Sequence, residues 1–194
     1  QGYLYVAEGI HMPDNDTIPP VGIAGMQIID LNDNPPKIIG YFKADASSDV
    51  SSVAISPDNF YAYITDSSVG IRVLDIHNRQ NPYPLAEYKL PTSGKGRNLF
   101  LEGSLLYVAD GVEHLQVIDV SDPSSPVLYG YYDSPGYGSD VVVSGDYIFL
   151  ADFSSLLILG QDRDNDDYSS VGGDCNDNDP NINPGAREVC NGRD

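Results

Sequence analysis

The strongest constraint on this sequence is an internal repeat of about 44 residues. One strand, rich in aromatic and β-branched residues, is written four times, as YLYVAEG from Tyr3, YAYITDS from Tyr61, LLYVADG from Leu105 and YIFLADF from Tyr147. A second strand follows each copy as MQIIDL, IRVLDI, LQVIDV and a weakened LLILG. The aspartates near the end of the second strand, Asp30, Asp75 and Asp119, lie 45 and 44 residues apart. A period of this length predicts blade-sized structural units.

Each unit contains four strand-like runs. The second strand is followed by a turn that begins with Asp, then by an apolar and aromatic strand such as VLYGYY from Val127, and then by a shorter strand such as DVVVS from Asp140. No segment has apolar residues at helical spacing over ten or more positions, so we expect an all-β fold. The strands are nearly continuous in Val, Ile, Leu and Tyr, which indicates sheets that are covered on both faces. The first unit lacks its first strand and the last lacks its fourth, so the expected strand count is three, four, four and three.

Three strings carry a resemblance to a known family. YVADG from Tyr107, LQVIDVSDPSSPV from Leu115 and GYGSDVVVSGDYIFLAD from Gly136 resemble the LVIVD repeat, a β-propeller repeat common in secreted and surface proteins of bacteria and archaea. The resemblance covers about residues 3–159. It implies a β-propeller-like array of four-stranded antiparallel blades, built from four repeats. It implies a fold and no particular reaction.

The charge of the chain restricts its partners. There are 29 acidic and 10 basic residues, a formal net charge of −19, which argues against nucleic acid and anionic membranes and suits a secreted protein that holds cations. The longest apolar runs are strand-sized, so we expect no membrane insertion. No basic and apolar leader precedes the repeats at Gln1, so we expect a mature or trimmed product at an extracellular or cell-surface location, without its signal peptide.

Acidic residues recur once per unit in two places. Glu8, Asp66, Asp110 and Asp152 end one strand, while Asp30, Asp75 and Asp119 open the next turn. An Asp side chain at such a turn accepts hydrogen bonds from backbone amides a few residues on. We therefore expect turn chemistry, and a ring of ligands is the alternative.

A second polar series, Ser52, Asn98 and Asp140, begins the shortest strand of each unit. The LVIVD resemblance places that strand along a central channel, so these residues are the best place to look for a site near its mouth. A merely solvated channel mouth is the alternative.

The three histidines, His11, His77 and His114, fall in an insertion and in turns, and no Ser, Cys or Lys lies in an activating motif. We therefore expect no enzymatic activity.

The composition changes at Gln161, which divides the chain into repeats at 1–160 and an Asp-rich module at 161–194. Asp162, Asp164 and Asp166 occupy positions one, three and five of a calcium loop, and Tyr168 supplies a backbone carbonyl at position seven. Asp167 replaces the usual Gly at position six, and Gly173 stands at position twelve, so the closing ligand must come from elsewhere. Ca²⁺ suits this pattern better than Mg²⁺, which requires tighter octahedral geometry. A disordered acidic segment without an ion is the alternative. The candidate ligands of an adjoining site are Asp174, Asn176, Asn178 and Glu188.

The same segment resembles the MopE-type metal-binding motif of bacterial surface proteins. The matching strings are the Gly-Asp-Cys at 173–175, the Asp-Pro at 179–180, the Asn-Pro-Gly-Ala at 183–186 and the Glu-Val-Cys at 188–190. The family pattern continues beyond this end, so we expect the motif to be truncated here. Two neighbouring cysteines in an acidic, loop-rich segment indicate a disulfide between Cys175 and Cys190 and an oxidising compartment.

An insertion at residues 10–25 carries the N-glycosylation pattern Asn15-Asp16-Thr17, with an unmodified turn as the alternative.

The sequence as a whole predicts a secreted or cell-surface, non-enzymatic, calcium-binding structural or interaction protein. Its expected partners are calcium and, through the incomplete first and last units, further copies of itself in an assembly or filament, or other surface proteins or glycans. The alternative is that the incomplete units are trimmed parts of a longer, monomeric propeller. The competing hypothesis is a propeller hydrolase, lactonase-like or phosphatase-like, with a metal in the central channel.

Overall fold

The computed structural model describes residues 2–9, 24–46, 48–91, 96–111 and 115–161, and these residues form four antiparallel sheets and no helix. Sheet 1 consists of β1 (Tyr3–Glu8), β2 (Gly25–Asp30) and β3 (Lys37–Lys43). Sheet 2 consists of β4 (Val53–Ile55), β5 (Tyr61–Asp66), β6 (Gly70–Asp75) and β7 (Tyr83–Tyr88). Sheet 3 consists of β8 (Asn98–Glu102), β9 (Leu105–Ala109), β10 (Leu115–Asp119) and β11 (Val127–Tyr132). Sheet 4 consists of β12 (Asp140–Ser144), β13 (Tyr147–Ala151) and β14 (Leu156–Gly160).

Every sheet is a simple meander in which each strand pairs with the next strand of the chain. The all-β prediction and the strand count of three, four, four and three are confirmed. Sheets 1, 2 and 3 carry a β-bulge at the same place, between the second and third strands of sheet 1 and between the third and fourth strands of sheets 2 and 3. The hairpins before β9 and β13 turn at Gly103 and Gly145, where positive φ values favour glycine. In the part of the chain described, no helix has the length and apolar character needed to cross a membrane.

The hydrophobic core lies between consecutive sheets, in three separate clusters. We call the face of a sheet that packs on the following sheet its forward face, and the opposite face its backward face. Tyr107, Leu115 and Val117 on the forward face of sheet 3 pack against Val141, Ile148 and Leu150 on the backward face of sheet 4. The equivalent positions pack sheet 1 on sheet 2 and sheet 2 on sheet 3. The period-2 alternation of a strand thus supplies two apolar faces, one for each neighbour.

The apolar strands predict that both faces of every sheet are covered. In the structure this is true of the two central sheets, 2 and 3. Almost every residue of β5, β6, β9 and β10 is buried, whereas β12 and β13 alternate between buried and exposed or half-buried side chains. The reason is that sheets 1 and 4 each have only one neighbouring sheet among the described residues. The forward face of sheet 4 and the backward face of sheet 1 are therefore open.

Gly40, beside the bulge in β3, lies against a neighbouring backbone. A Cβ atom at Gly40 would collide with the carbonyl oxygen of Arg79, whereas a Cβ at the equivalent Gly130 of β11 meets nothing within 4 Å. We expect Gly40→Ala to lower the free energy of unfolding by about 1 to 3 kcal/mol, because the backbone around Arg79 must shift. Gly130→Ala is the matched control and should leave stability unchanged or slightly raised. Urea unfolding of both variants tests this, and equal midpoints would contradict the contact.

Candidate functional site

The aspartates at the end of the second repeated strand stabilise the turns that follow them. The Oδ1 atom of Asp30 accepts a hydrogen bond from the amide of Asn32 at 2.8 Å. Asp75 accepts one from the amide of His77 at 2.9 Å, and Asp119 accepts one from Ser121 at 2.8 Å. Burial would raise the pKa of Asp75, but hydrogen bonds from the His77 amide and ring and from the Tyr83 hydroxyl hold that pKa below its ordinary value. The prediction of turn chemistry is confirmed for this series.

The other acidic series is Glu8, Asp66, Asp110 and Asp152. In sheets 3 and 4, the acid that follows the second strand binds the segment that precedes the first strand. Asp110 accepts a hydrogen bond from the amide of Gly96 at 2.9 Å, just before β8. Asp152 accepts one from Gly136 at 3.0 Å, before β12, and a second from the Ser155 amide at 2.9 Å. Burial would raise the pKa of Asp152, but hydrogen bonds from the Ser155 hydroxyl and amide, the Ser154 hydroxyl and the Gly136 amide lower it overall. The carboxylates of Asp110 and Asp152 therefore position the loops at one end of sheets 3 and 4.

Sheet 2 uses its member of this series differently, as one partner of a buried ion pair. Asp66 is fully buried and accepts hydrogen bonds from Nε of Arg72 at 3.0 Å and from the amide of Ser68 at 2.9 Å. The guanidinium of Arg72 also binds Asp45 at 3.0 Å and Glu87 at 2.8 Å. Burial would raise the pKa of Asp66, but hydrogen bonds from the Ser68 and Ser48 side chains and the nearby Arg72 charge lower it.

Arg72 lies on the backward face of sheet 2 and also contacts sheet 1, since its guanidinium lies 5.7 Å from the centre of the Phe42 ring. The equivalent position in sheet 1 holds Gln27, whose Nε2 donates to Glu8 at 2.6 Å. Sheet 3 holds the buried Gln116 there. Sequence reasoning did not single out Arg72. The available signal was a basic residue inside the apolar strand IRVLD, six residues after a strand-ending acid.

The polar series predicted for the channel mouth, Ser52, Asn98 and Asp140, lies at the start of the first strands of sheets 2, 3 and 4, as expected. Ser52 immediately precedes β4, while Asn98 and Asp140 are the first residues of β8 and β12. These three strands lie at the same edge of their sheets, and β8 contacts both β4 and β12. The hydroxyl of Ser52 accepts a hydrogen bond from the amide of Leu99 at 3.1 Å, and the carboxylate of Asp140 accepts one from the amide of Val141 at 2.9 Å. The first of these bonds joins sheet 2 to sheet 3, which gives Ser52 a structural role.

An open groove of about 970 Å³ lies beside β14, the outer edge strand of sheet 4. In sheets 2 and 3 the corresponding place is taken by the fourth strand, β7 or β11. Tyr129 and Tyr131 of β11 line the groove on one side, and Ile158 of β14 lines it on the other. Over the residues that the structure describes, no group of three or more His, Cys, Asp and Glu side chains could hold a metal ion.

Several predicted site residues lie outside the described residues. They are the calcium ligands Asp162, Asp164, Asp166, Tyr168, Asp174, Asn176, Asn178 and Glu188, the cysteines Cys175 and Cys190, and the glycosylation site Asn15. Their roles stay predictions.

Among the histidines, His77 is described. Its ring stacks on Phe60 with 4.2 Å between the ring centroids, and its Nδ1 atom lies 2.9 Å from a carboxylate oxygen of Asp75. His77 is thus a turn residue, as expected.

Four antiparallel sheets, one for each repeat and packed face to face in chain order, define a β-propeller-like repeat protein. The family model described as LVIVD repeat matches residues 47–88, 93–134 and 135–159, which together make up more than half of the chain. The chain belongs to the LVIVD repeat family. A MopE-type model, described as "Putative metal-binding motif", matches residues 174–194. A search of the curated proteins finds no match.

Proposed function

We propose that this chain is a secreted or cell-surface structural or interaction protein without enzymatic activity, and that its C-terminal module binds calcium. The match of the metal-binding motif at residues 174–194, directly after a repeat scaffold, is the observation that carries the proposal. The sheets serve as the scaffold and the Asp-rich module as the ion-binding part.

The donors of the C-terminal module favour calcium among the common metal ions. Asp162, Asp164 and Asp166 offer carboxylates, Asn176 and Asn178 offer amide oxygens, and Tyr168 offers a backbone carbonyl. Hard cations prefer such oxygen ligands, whereas copper and zinc prefer nitrogen and sulfur. Magnesium holds its waters and demands octahedral geometry, so a flexible loop with many oxygens suits calcium better.

The polar side chains of the sheets support a structural role over a catalytic one. Asp66, Asp110 and Asp152 hold loops and a buried guanidinium, and the hydroxyl of Ser52 is bonded to a backbone amide of the next sheet. Each of these groups accepts hydrogen bonds from other parts of the fold, which supports a role in positioning loops and sheets. The open faces of sheets 1 and 4 support a role in assembly.

Calcium binding should be measurable on the whole chain by isothermal titration calorimetry. We expect a dissociation constant of about 10⁻⁴ to 10⁻³ M, the range of extracellular calcium modules. Asp164→Ala should weaken binding about tenfold or more, which corresponds to about 1.4 kcal/mol. Asp33→Ala is the matched control, because Asp33 is an exposed acid in the turn between β2 and β3, and its partner is Lys37 at 3.2 Å. The control should bind calcium as the wild type does.

Three outcomes would count against the proposal. Heat from copper but none from calcium would assign the module to another metal. Equal binding by wild type and Asp164→Ala would remove Asp164 from the site. Hydrolysis of lactone or phosphate ester substrates that Asp140→Asn abolishes would favour the hydrolase instead.

A further inference from the structure

The open forward face of sheet 4 has the same construction as the faces that pack inside the molecule. Leu156 and Ile158 of β14 occupy the positions that Leu115 and Val117 occupy in β10. Leu115 is 1% and Val117 9% exposed, because sheet 4 covers them, whereas Leu156 is 62% and Ile158 56% exposed. The side chains are of the same kind and differ in the presence of a neighbouring sheet.

The open backward face of sheet 1 shows the complementary pattern. Leu4 is 47% exposed, while Leu106, its equivalent in sheet 3, is fully buried against sheet 2. Leu31, which follows β2, is 48% exposed, while the equivalent Val120 is 4% exposed. Sheet 1 therefore offers the type of face that packs on a forward face elsewhere in the molecule.

We infer that the backward face of sheet 1 of a second copy of this chain docks on the forward face of sheet 4. The contact continues, in register, the three interfaces that join sheets 1 to 4 within one copy. The inference rests on the proposed assembly role and names the surfaces that carry it. Because the two docking faces differ, the contact is head-to-tail, and repetition gives a closed ring or a filament.

A second copy fits this face better than residues 162–194 do. Residues 162–194 contain nine acidic and three basic residues and no apolar run that could match Leu156 and Ile158. Sheet 1 of the same copy leaves its own apolar face open in the structure, as the exposure of Leu4 and Leu31 shows. Burial of apolar side chains on both partners supplies the driving force for docking.

The net charge sets the conditions for this contact. Two copies with a formal charge of −19 each repel one another, and bound calcium or added salt reduces that repulsion. We therefore expect the assembled fraction to rise with protein concentration and to be larger in millimolar calcium than in chelator.

The test is the solution mass of wild type, Leu4→Asp and Ile158→Asp, measured by analytical ultracentrifugation in millimolar calcium. Wild type should exceed the monomer mass of 21.0 kDa, and each variant alone should remain monomeric. An equimolar mixture of the two variants should form a dimer that grows no further, because each variant keeps one intact face. Phe60→Asp is the control, since Phe60 is 42% exposed in the turn before β5, and it should assemble as wild type does. Circular dichroism checks that every variant is folded.

The possible failures are distinguishable. A monomeric wild type at every concentration would overturn both the docking and the assembly role and would leave calcium binding untouched. If Leu4→Asp and Ile158→Asp keep the wild-type mass, the chain assembles through other surfaces, and the docking role of these two faces is wrong. If each variant alone is monomeric and their equimolar mixture is monomeric too, the head-to-tail docking is wrong, because the two intact faces in the mixture should pair.

Discussion

Replacement of Arg72 by alanine is expected to lower the free energy of unfolding by about 3 to 5 kcal/mol. The Arg72 side chain is 8% exposed, and its guanidinium binds three carboxylates, of which Asp66 is fully buried. Its removal leaves the charge of Asp66 inside the protein without its cation and also removes the contact with Phe42 of sheet 1. Urea unfolding of Arg72→Ala against wild type measures the loss.

Arg72→Gln is the matched control, because glutamine occupies the equivalent positions 27 and 116. We expect it to lose less stability than Arg72→Ala, since a glutamine can donate one hydrogen bond to Asp66, as Gln27 does to Glu8. The pKa of Asp66 is lower in the folded chain than in the unfolded chain, so its carboxylate stabilises the fold above about pH 4, and that contribution is lost as pH falls through the folded pKa. The difference between wild type and Arg72→Gln should therefore narrow in acid. A difference that stays unchanged through the acid range in which Asp66 becomes protonated in the folded chain would contradict this coupling.

Replacement of Leu115 by alanine should cost about 2 to 5 kcal/mol, whereas Leu156→Ala should change stability by less than about 0.5 kcal/mol. The two leucines are in the same register of sheets 3 and 4, and both face forward. Leu115 is buried against sheet 4, so its truncation leaves a cavity in that interface. Leu156 is 62% exposed and has no covering sheet among the described residues, so its truncation removes little buried surface.

The pair of leucine variants is best compared by urea unfolding in dilute protein and chelator, where one copy is studied alone. Equal losses for the two variants would show that Leu156 is covered within the chain and that the open face of sheet 4 does not exist in solution. A small loss for Leu115→Ala would show that the interface between sheets 3 and 4 contributes little. Both results are measurable without any knowledge of the metal.

The positions of the strands could be predicted from the sequence, because the repeat period and the strand-ending acids mark the same register in each unit. The turn role of Asp30, Asp75 and Asp119 was also predictable, since the hydrogen bonds span two residues. Local pattern was sufficient wherever the interacting groups are near in sequence.

Contacts between distant residues could not be predicted in this way. Leu115 and Leu156 belong to similar strings, and their different burial depends on whether a further sheet is present. The partners of Arg72 include Asp45, 27 residues earlier, which no local pattern connects to it. The role of Ser52 was likewise hidden, because its hydroxyl binds the amide of Leu99, 47 residues away in the next sheet.

The meander in each sheet also permits the protein to fold in the order of its chain. Every strand pairs with its neighbour in the chain, and the principal contacts between sheets join only consecutive sheets. Pairing over such short distances closes small loops, which costs little chain entropy and permits rapid folding. A chain emerging from the ribosome can therefore complete sheet 1 before sheet 2 is synthesised, and each new sheet finds a finished surface on which to form.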